Sequence, residues 1–372
     1  MSPRESFLQR SSLEVRFLLE LLRTYVRNAE KPSIPDEFNW PAFIQLCYAT
    51  HFAGWCYDQL KSYDTELIPS DALQSLKSYQ LRVLTSNERL LHQYQELLDI
   101  AQREKLTLYP LKGITLMNDC YERVYHRHLS DIDVLIDPKE LSAWEAHLSR
   151  ADFRLKRRVA KSTFHENAGL KYDPLQAFKQ DAVIDFHSSL NSGMAQVRIS
   201  LSDLKKKQQN EHTLASMDQL IFVCLHAYKH VYVGQLNPLH LMDIHLLSQK
   251  VDEQQLLAQS SAYHCSKEVQ SMLELTRFFT GQKHSSIPLW QLSVLDHVLN
   301  HTEFTKSQKR QFYYRKHFRI PVSVTQLPSY LWFQVFPSAA YLKQSDGKGN
   351  YLLNWLRRMA RLRCMFIGTS DN

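Results

Sequence analysis

Cysteine is sparse and scattered in this chain: six residues, at positions 47, 56, 120, 224, 265 and 364, with no C-x-x-C pair among them. That distribution excludes a disulfide framework and a cysteine-based zinc site, and it fits a reducing, cytoplasmic setting. No run of about eighteen apolar residues occurs anywhere, so no transmembrane span is expected. Residues 1–12 are polar and do not read as a signal peptide, so export is not expected either. The histidines include no H-E-x-x-H zinc motif. What is present is a chain of 372 residues, 44% hydrophobic and 22% charged, with the composition of a globular protein of two or three domains.

Its charge is uneven. From His301 to Asn372 there are twelve Lys and Arg against three Asp and Glu, a net of +9, while the first 300 residues carry 33 against 35, a net of −2. The basic excess therefore lies in the last 72 residues, interleaved with aromatics such as Phe312, Tyr313, Tyr314 and Trp332. Within it, Tyr351 to Phe366 has helical spacing, with Trp355, Leu356, Met359 and Leu362 set among Arg357, Arg358, Arg361 and Arg363. Three uses fit: an apolar face packed on the core with solvated arginines, attraction of RNA or another anionic partner, or a basic amphipathic helix at a membrane interface. The first requires no partner and is the default.

Helical periodicity dominates both sides of a mixed central segment. Ser11-Ser12 with Glu14 nearby is a start signal for a helix reaching about Arg27. The same period recurs from Trp40 to Leu60 and from Asp71 to Glu104, broken by a loop containing Pro69. The expected division is an N-terminal helical region (1–104), a mixed core (105–200), a helical region completing a cleft (201–300) and the basic, aromatic-rich region (301–372).

The chemistry gathers between Leu111 and Pro138. In D-I-D-V-L-I-D, Asp131, Asp133 and Asp137 alternate with Ile132, Val134 and Ile136, the period of a strand with one apolar face. Asp131 and Asp133 therefore share a face, with Cβ atoms roughly 6.6 Å apart at about 3.3 Å of rise per residue. Two carboxylates about 4 Å apart repel by roughly 4 kcal/mol at an effective dielectric of 20, a cost that a bound cation removes. Hard oxygen donors favour Mg²⁺ or Mn²⁺. The plain alternative is a solvated strand end. Asp137, directly before Pro138, reads instead as a helix cap.

Other residues extend the pattern. An apolar segment ending at Leu111 leads into Lys112-Gly113 and a helical run, a strand–turn–helix that would bring backbone N–H groups and the Lys112 charge to a phosphate. The strand-like V-I-D-F-H presents Asp185 and His187 on one face, and a third carboxylate there would complete a two-metal site. Further along, His226 and His230 share a helix face beside Lys229, and Asp243 follows His240 by three residues. These residues either line the cleft and contact substrate, or pair with each other to tie two helices together. His165, in a hairpin-like stretch, reads as a solvated loop residue.

Taken together, L-K-G, an Arg shortly before S-D-I-D-V-L-I, V-I-D-F-H, and L-H-x-x-x-H with a following L-x-D resemble the uncharacterised nucleotidyltransferase family within the DNA polymerase β superfamily. The similarity covers Leu106 to Ser248. It implies an α+β fold with a polymerase β-type mixed sheet, and metal-dependent transfer of a nucleoside monophosphate from an NTP to an acceptor hydroxyl or amine. It also implies Asp131, Asp133 and Asp185 as catalytic metal ligands and Lys112, Gly113, Arg127 and Ser130 on the nucleotide. His187, His226, Lys229, His230 and Asp243 are then expected toward the substrate. The chain departs from the superfamily at the turn, where Lys112-Gly113 stands in place of Gly-Ser and the gap to Asp131 is longer. That departure supports the opposing reading, a noncatalytic binding or scaffold protein that keeps the fold. A glycosyltransferase using D-x-D would need repeated parallel crossovers that the chain does not have.

Overall fold

The computed structural model describes residues 3–157, 175–190, 197, 199, 201–206, 212–317, 336–337, 341–342, 351–357 and 359. Its spine is the helix Ser70–Glu104, 35 residues or about 52 Å at 1.5 Å of rise each. Ala72, Leu76, Gln80, Val83, Asn87, Leu90, Gln93, Leu97 and Ile100 recur every three or four residues and form its buried stripe. Lys105 ends it in a left-handed conformation, where Leu106 N–H donates to the Ala101 carbonyl.

The stripe serves two apolar clusters. Its first half, with Ala72 and Leu76, packs into a helical cluster; its second half, with Leu90, Leu97 and Ile100, packs against a sheet. The helical cluster joins distant parts of the chain. Leu13–Arg27, capped by the Ser12 side chain as the sequence leads one to expect, and Trp40–Ala49, capped by Asn39, share it with Ser216–Tyr232, Leu239–Ser248 and Ser266–Phe279. Phe7 meets Phe278 edge-on at 5.5 Å, and Phe52 stacks near Phe279 at 6.2 Å. Fully buried side chains such as Phe43, Phe52, Phe222 and Phe278 each stabilise the fold by about 1.5–3 kcal/mol.

The sheet has five strands in the order β1 (Tyr109–Leu111), β2 (Ile132–Leu135), β5 (Ala182–His187), β4 (Leu175–Lys179) and β3 (Arg154–Arg157). Among the described residues only the central β2–β5 pair is parallel. Beneath the sheet lie Trp144 and Leu148 of the helix Leu141–Arg150, which follows a short 3₁₀ turn capped by Asp137. The chain is thus α+β with a mixed sheet, consistent with a nucleotidyltransferase fold. β4 and β5 form a hairpin whose turn residues, Gln180 and Asp181, both have positive φ (48° and 65°). The strand-like stretch expected over 153–159 corresponds to β3, while the piece around 162–172, with His165, lies outside the described residues. Of the basic tail, Phe312 is buried and 351–357 are helical. The rest of the segment on which an anionic partner was read is largely outside the described residues. No helix of the described residues is long and apolar enough to cross a membrane.

Candidate active site

Strand register builds the acidic cluster. In the parallel pair, Asp133 of β2 stands directly beside Asp185 of β5, and Asp131 lies two residues ahead on the same face. Carboxylate oxygens of all three come within 4.8 Å of one another. Each has a protein partner. The Ser130 hydroxyl donates to Asp131 at 2.9 Å, and the Gln176 amide of β4 donates to Asp185 at 2.6 Å. Asp133 Oδ1 accepts from both Lys112 Nζ at 2.8 Å and His187 Nε2 at 2.6 Å. Lys112 lies 5.6 Å over the Phe222 ring, and the same ring meets His187 edge-on at 6.2 Å, so Phe222 covers both partners of Asp133.

These contacts separate the carboxylates electrostatically. Burial raises the Asp133 carboxyl, but the Lys112 charge and the His187 hydrogen bond outweigh it and hold the group well below the usual carboxylate range. Asp131 moves the other way: burial first, then the neighbouring Asp133 charge, raise it against the opposing effects of Lys112 and Ser130. The cluster therefore holds one firmly ionised carboxylate beside one that takes up a proton more readily. A divalent cation among them would favour the ionised form of both.

Below this layer lies a buried ion pair. Arg127 grips Asp243 through Nε to Oδ1 at 2.9 Å and Nη2 to Oδ2 at 2.9 Å, while Nη1 donates to the His128 carbonyl. Tyr121 adds a hydrogen bond from its hydroxyl to Asp243 at 2.7 Å. Burial opposes the Arg127 charge, yet Asp243 more than restores it. The backbone around Arg127 is fixed from the long helix. Asn87, fully buried, donates to the carbonyls of Val124 (2.6 Å) and Arg127 (2.8 Å) and accepts from Leu129 N–H (3.1 Å). Gly113 completes the fit, because a Cβ there would lie 2.5 Å from Leu129 Cδ2.

The carboxylates open onto a cleft of about 530 Å³, within the usual range for small-molecule sites. Of the residues singled out from sequence, Lys112, Gly113, Arg127, Ser130, Asp131, Asp133 and Asp185 line it, together with His226, Lys229 and His230 of the helix Ser216–Tyr232. His187 and Asp243 lie behind the lining, against Asp133 and Arg127 respectively. Sequence reading missed two of its histidines, His51 and His128. His51 and His128 stack at 4.7 Å on one wall, with His51 hydrogen-bonded to the Tyr79 hydroxyl. His240 joins His226 and His230 with ring separations of 5.1 and 6.0 Å. No short motif marks His51 and His128, which lie in two separate segments between helices and strands, whereas His226, His230 and His240 stand in the stretch that the sequence singles out. Burial comes first among the causes that lower His51, His128, His226 and His240, and His128 is brought to about 4, so all four are neutral at pH 7.

Residues 36–281 match a protein family described as uncharacterised nucleotidyltransferase. A search of curated proteins gives no match. The matched span includes the three aspartates, the Lys112-Gly113 turn, the Arg127–Asp243 pair and the histidine wall, so the cleft described above is built almost wholly from family sequence. The chain belongs to this family of uncharacterised nucleotidyltransferases.

Proposed function

We propose that the chain transfers a nucleoside monophosphate from an NTP to an acceptor hydroxyl or amine, releasing pyrophosphate, at Asp131, Asp133 and Asp185. The observation that carries this is the three-carboxylate cluster on adjacent parallel strands, with oxygens within 4.8 Å, at one side of a cleft of about 530 Å³. The donor set is all hard oxygen and fits Mg²⁺ or Mn²⁺, held by these three aspartates. Such an ion, when bound, supplies charge neutralisation at the phosphates.

The remaining work falls to the chain's own groups. Lys112, Gly113 and Ser130 edge the cleft beside the aspartates, where the triphosphate is placed in this reading. Arg127 stays on Asp243 and adds positive potential from the floor. In this reading Asp185 takes the acceptor proton as the acceptor–phosphorus bond forms and the bond to pyrophosphate breaks. His226, Lys229 and His230 line the same cleft and contact the acceptor in this reading. Ser130 and Gln176 orient Asp131 and Asp185 so that little rearrangement accompanies the chemistry. The noncatalytic alternative has one specific observation on its side, the Lys112–Asp133 ion pair. Incubation with α-labelled NTPs, Mg²⁺ and pools of sugar, small-metabolite, tRNA and protein acceptors distinguishes the two. Transfer of label that is lost in Asp185→Asn is the expected result, whereas label that stays on NTP with every pool supports the binding protein.

A further inference from the structure

Lys112 is held in an unusual place. It directly follows β1 and precedes the short helix Gly113–Asp119 with φ 53° and ψ −123°, a left-handed backbone conformation that glycine adopts readily and lysine does not. The glycine of the pair is next door, so the strained position carries a side chain. Strain of this kind persists where the surroundings over-determine it and clusters at functional sites. Here the surroundings are visible. The lysine side chain turns back over the sheet, its ammonium 2.8 Å from Asp133 Oδ1, with only 11% of the lysine side chain and 7% of the aspartate exposed. Phe222 closes over it at 5.6 Å.

The position matters because Asp133 is central to the acidic cluster, flanked by Asp131 on its own strand and by Asp185 on the next. Three ionised carboxylates carry a charge of −3, and the Lys112 ammonium leaves −2, the charge that a single divalent cation balances. Two divalent ions beside the ammonium would leave the cluster with an excess of +2 in a partly buried site, which the local dielectric penalises. Resting on the nucleotidyltransferase reading above, we propose that Lys112 is the resident cation of Asp133, so that the nucleotide-free cluster takes one divalent ion, with the ammonium in the place of a second. This assigns a purpose to the Lys-Gly turn: its strained backbone aims a fixed positive charge at the carboxylate instead of leaving a mobile one near the phosphates.

The test counts Mn²⁺ by electron paramagnetic resonance on the full chain, comparing wild type, Lys112→Met and Lys112→Gly, with Asp131→Asn/Asp133→Asn to assign bound ions to the cluster. Lys112→Gly relieves the positive φ and keeps the comparison open should Lys112→Met fold poorly; circular dichroism melting checks both. The expected result is one cluster-bound ion in wild type and a second in both variants. The first ion should be held about thirty-fold tighter in the variants, because a unit charge about 4 Å from a divalent ion counts at least that much even at the dielectric of water. Equal stoichiometry and affinity in wild type and variants would overturn the assignment of Lys112 while leaving a metal-binding nucleotidyltransferase site intact. No cluster-bound Mn²⁺ in any of the folded proteins would overturn both.

Discussion

Removal of the Asp243 charge should destabilise the protein far more than an ordinary polar substitution. Arg127 is buried, and its guanidinium is satisfied by two contacts to Asp243 at 2.9 Å and one to the His128 carbonyl. In Asp243→Asn the shape is nearly unchanged, but the cation is left in the interior with no partner of opposite charge. Breaking a buried pair in this way costs about 3–5 kcal/mol, a large part of the 5–15 kcal/mol by which folded proteins are usually stable. The Tyr121 hydroxyl, which donates to the same carboxylate at 2.7 Å, can still donate to the amide oxygen and does not repair the loss. Replacing both partners with apolar residues, Arg127→Met/Asp243→Leu, should recover most of the stability, giving a coupling of at least about 2 kcal/mol in the double-mutant cycle. Urea unfolding followed by fluorescence and circular dichroism reads Asp243→Asn and the four corners of the cycle: wild type, Arg127→Met, Asp243→Leu and the double variant. A cost below about 1 kcal/mol for Asp243→Asn would show that Arg127 does not depend on its partner. It would then be free to turn into the cleft and grip a triphosphate directly, and the floor role given to it here would be wrong.

Asn87→Leu should cost about 2–3 kcal/mol, because it strips the partners of two backbone carbonyls and the Leu129 N–H without replacing them. Thermal melting measures this, and an unchanged melting temperature would mean that the loop carrying Arg127 is held by something else. Acid should weaken the fold through the cleft histidines. His128 titrates near 4 in the folded protein against 6.5 unfolded, so the unfolded chain takes up a proton that the folded one refuses. Its contribution, about 3 kcal/mol, is complete above about pH 6.5 and is lost as pH falls toward 4. His51, His226 and His240 shift in the same direction and add to it. Asp133, held low, keeps its contribution through this window and loses it only at more acidic pH. Urea midpoints that stay constant between about pH 7 and pH 4.5 would contradict the neutral-histidine wall.

Sequence reading recovered the parts of this molecule that local pattern determines. Alternation placed Asp131 and Asp133 on one face, Ser12 and Asp137 capped the segments they precede, and V-I-D-F-H became the strand that presents Asp185. The plain alternative of a solvated strand end does not hold for β2, every residue of which is buried, Asp133 included. The polar face is covered by Lys112, His187 and Phe222, an arrangement that no local period reveals. The β4–β5 hairpin was missed because its turn is Gln180-Asp181, without the glycine or asparagine that usually signals such a turn. Long-range pairings were illegible for a simpler reason. Arg127 and Asp243 are 116 residues apart, and Asn87 sits mid-helix, where a polar residue ordinarily faces solvent. His226 and His230 share one helix and were legible together, but His51 and His128 come from other segments, so only the fold brings them to the same cleft.

The most direct test of the central claim is NTP binding by isothermal calorimetry, with and without Mg²⁺, on wild type and on Asp131→Asn/Asp133→Asn. Wild type should bind at least one NTP in a Mg²⁺-dependent manner, and the variant, folded with an unchanged circular dichroism spectrum, should not. NTP binding that is retained in the variant, or that is indifferent to Mg²⁺ in wild type, would place the nucleotide somewhere other than the Asp131–Asp133–Asp185 cluster and contradict the account.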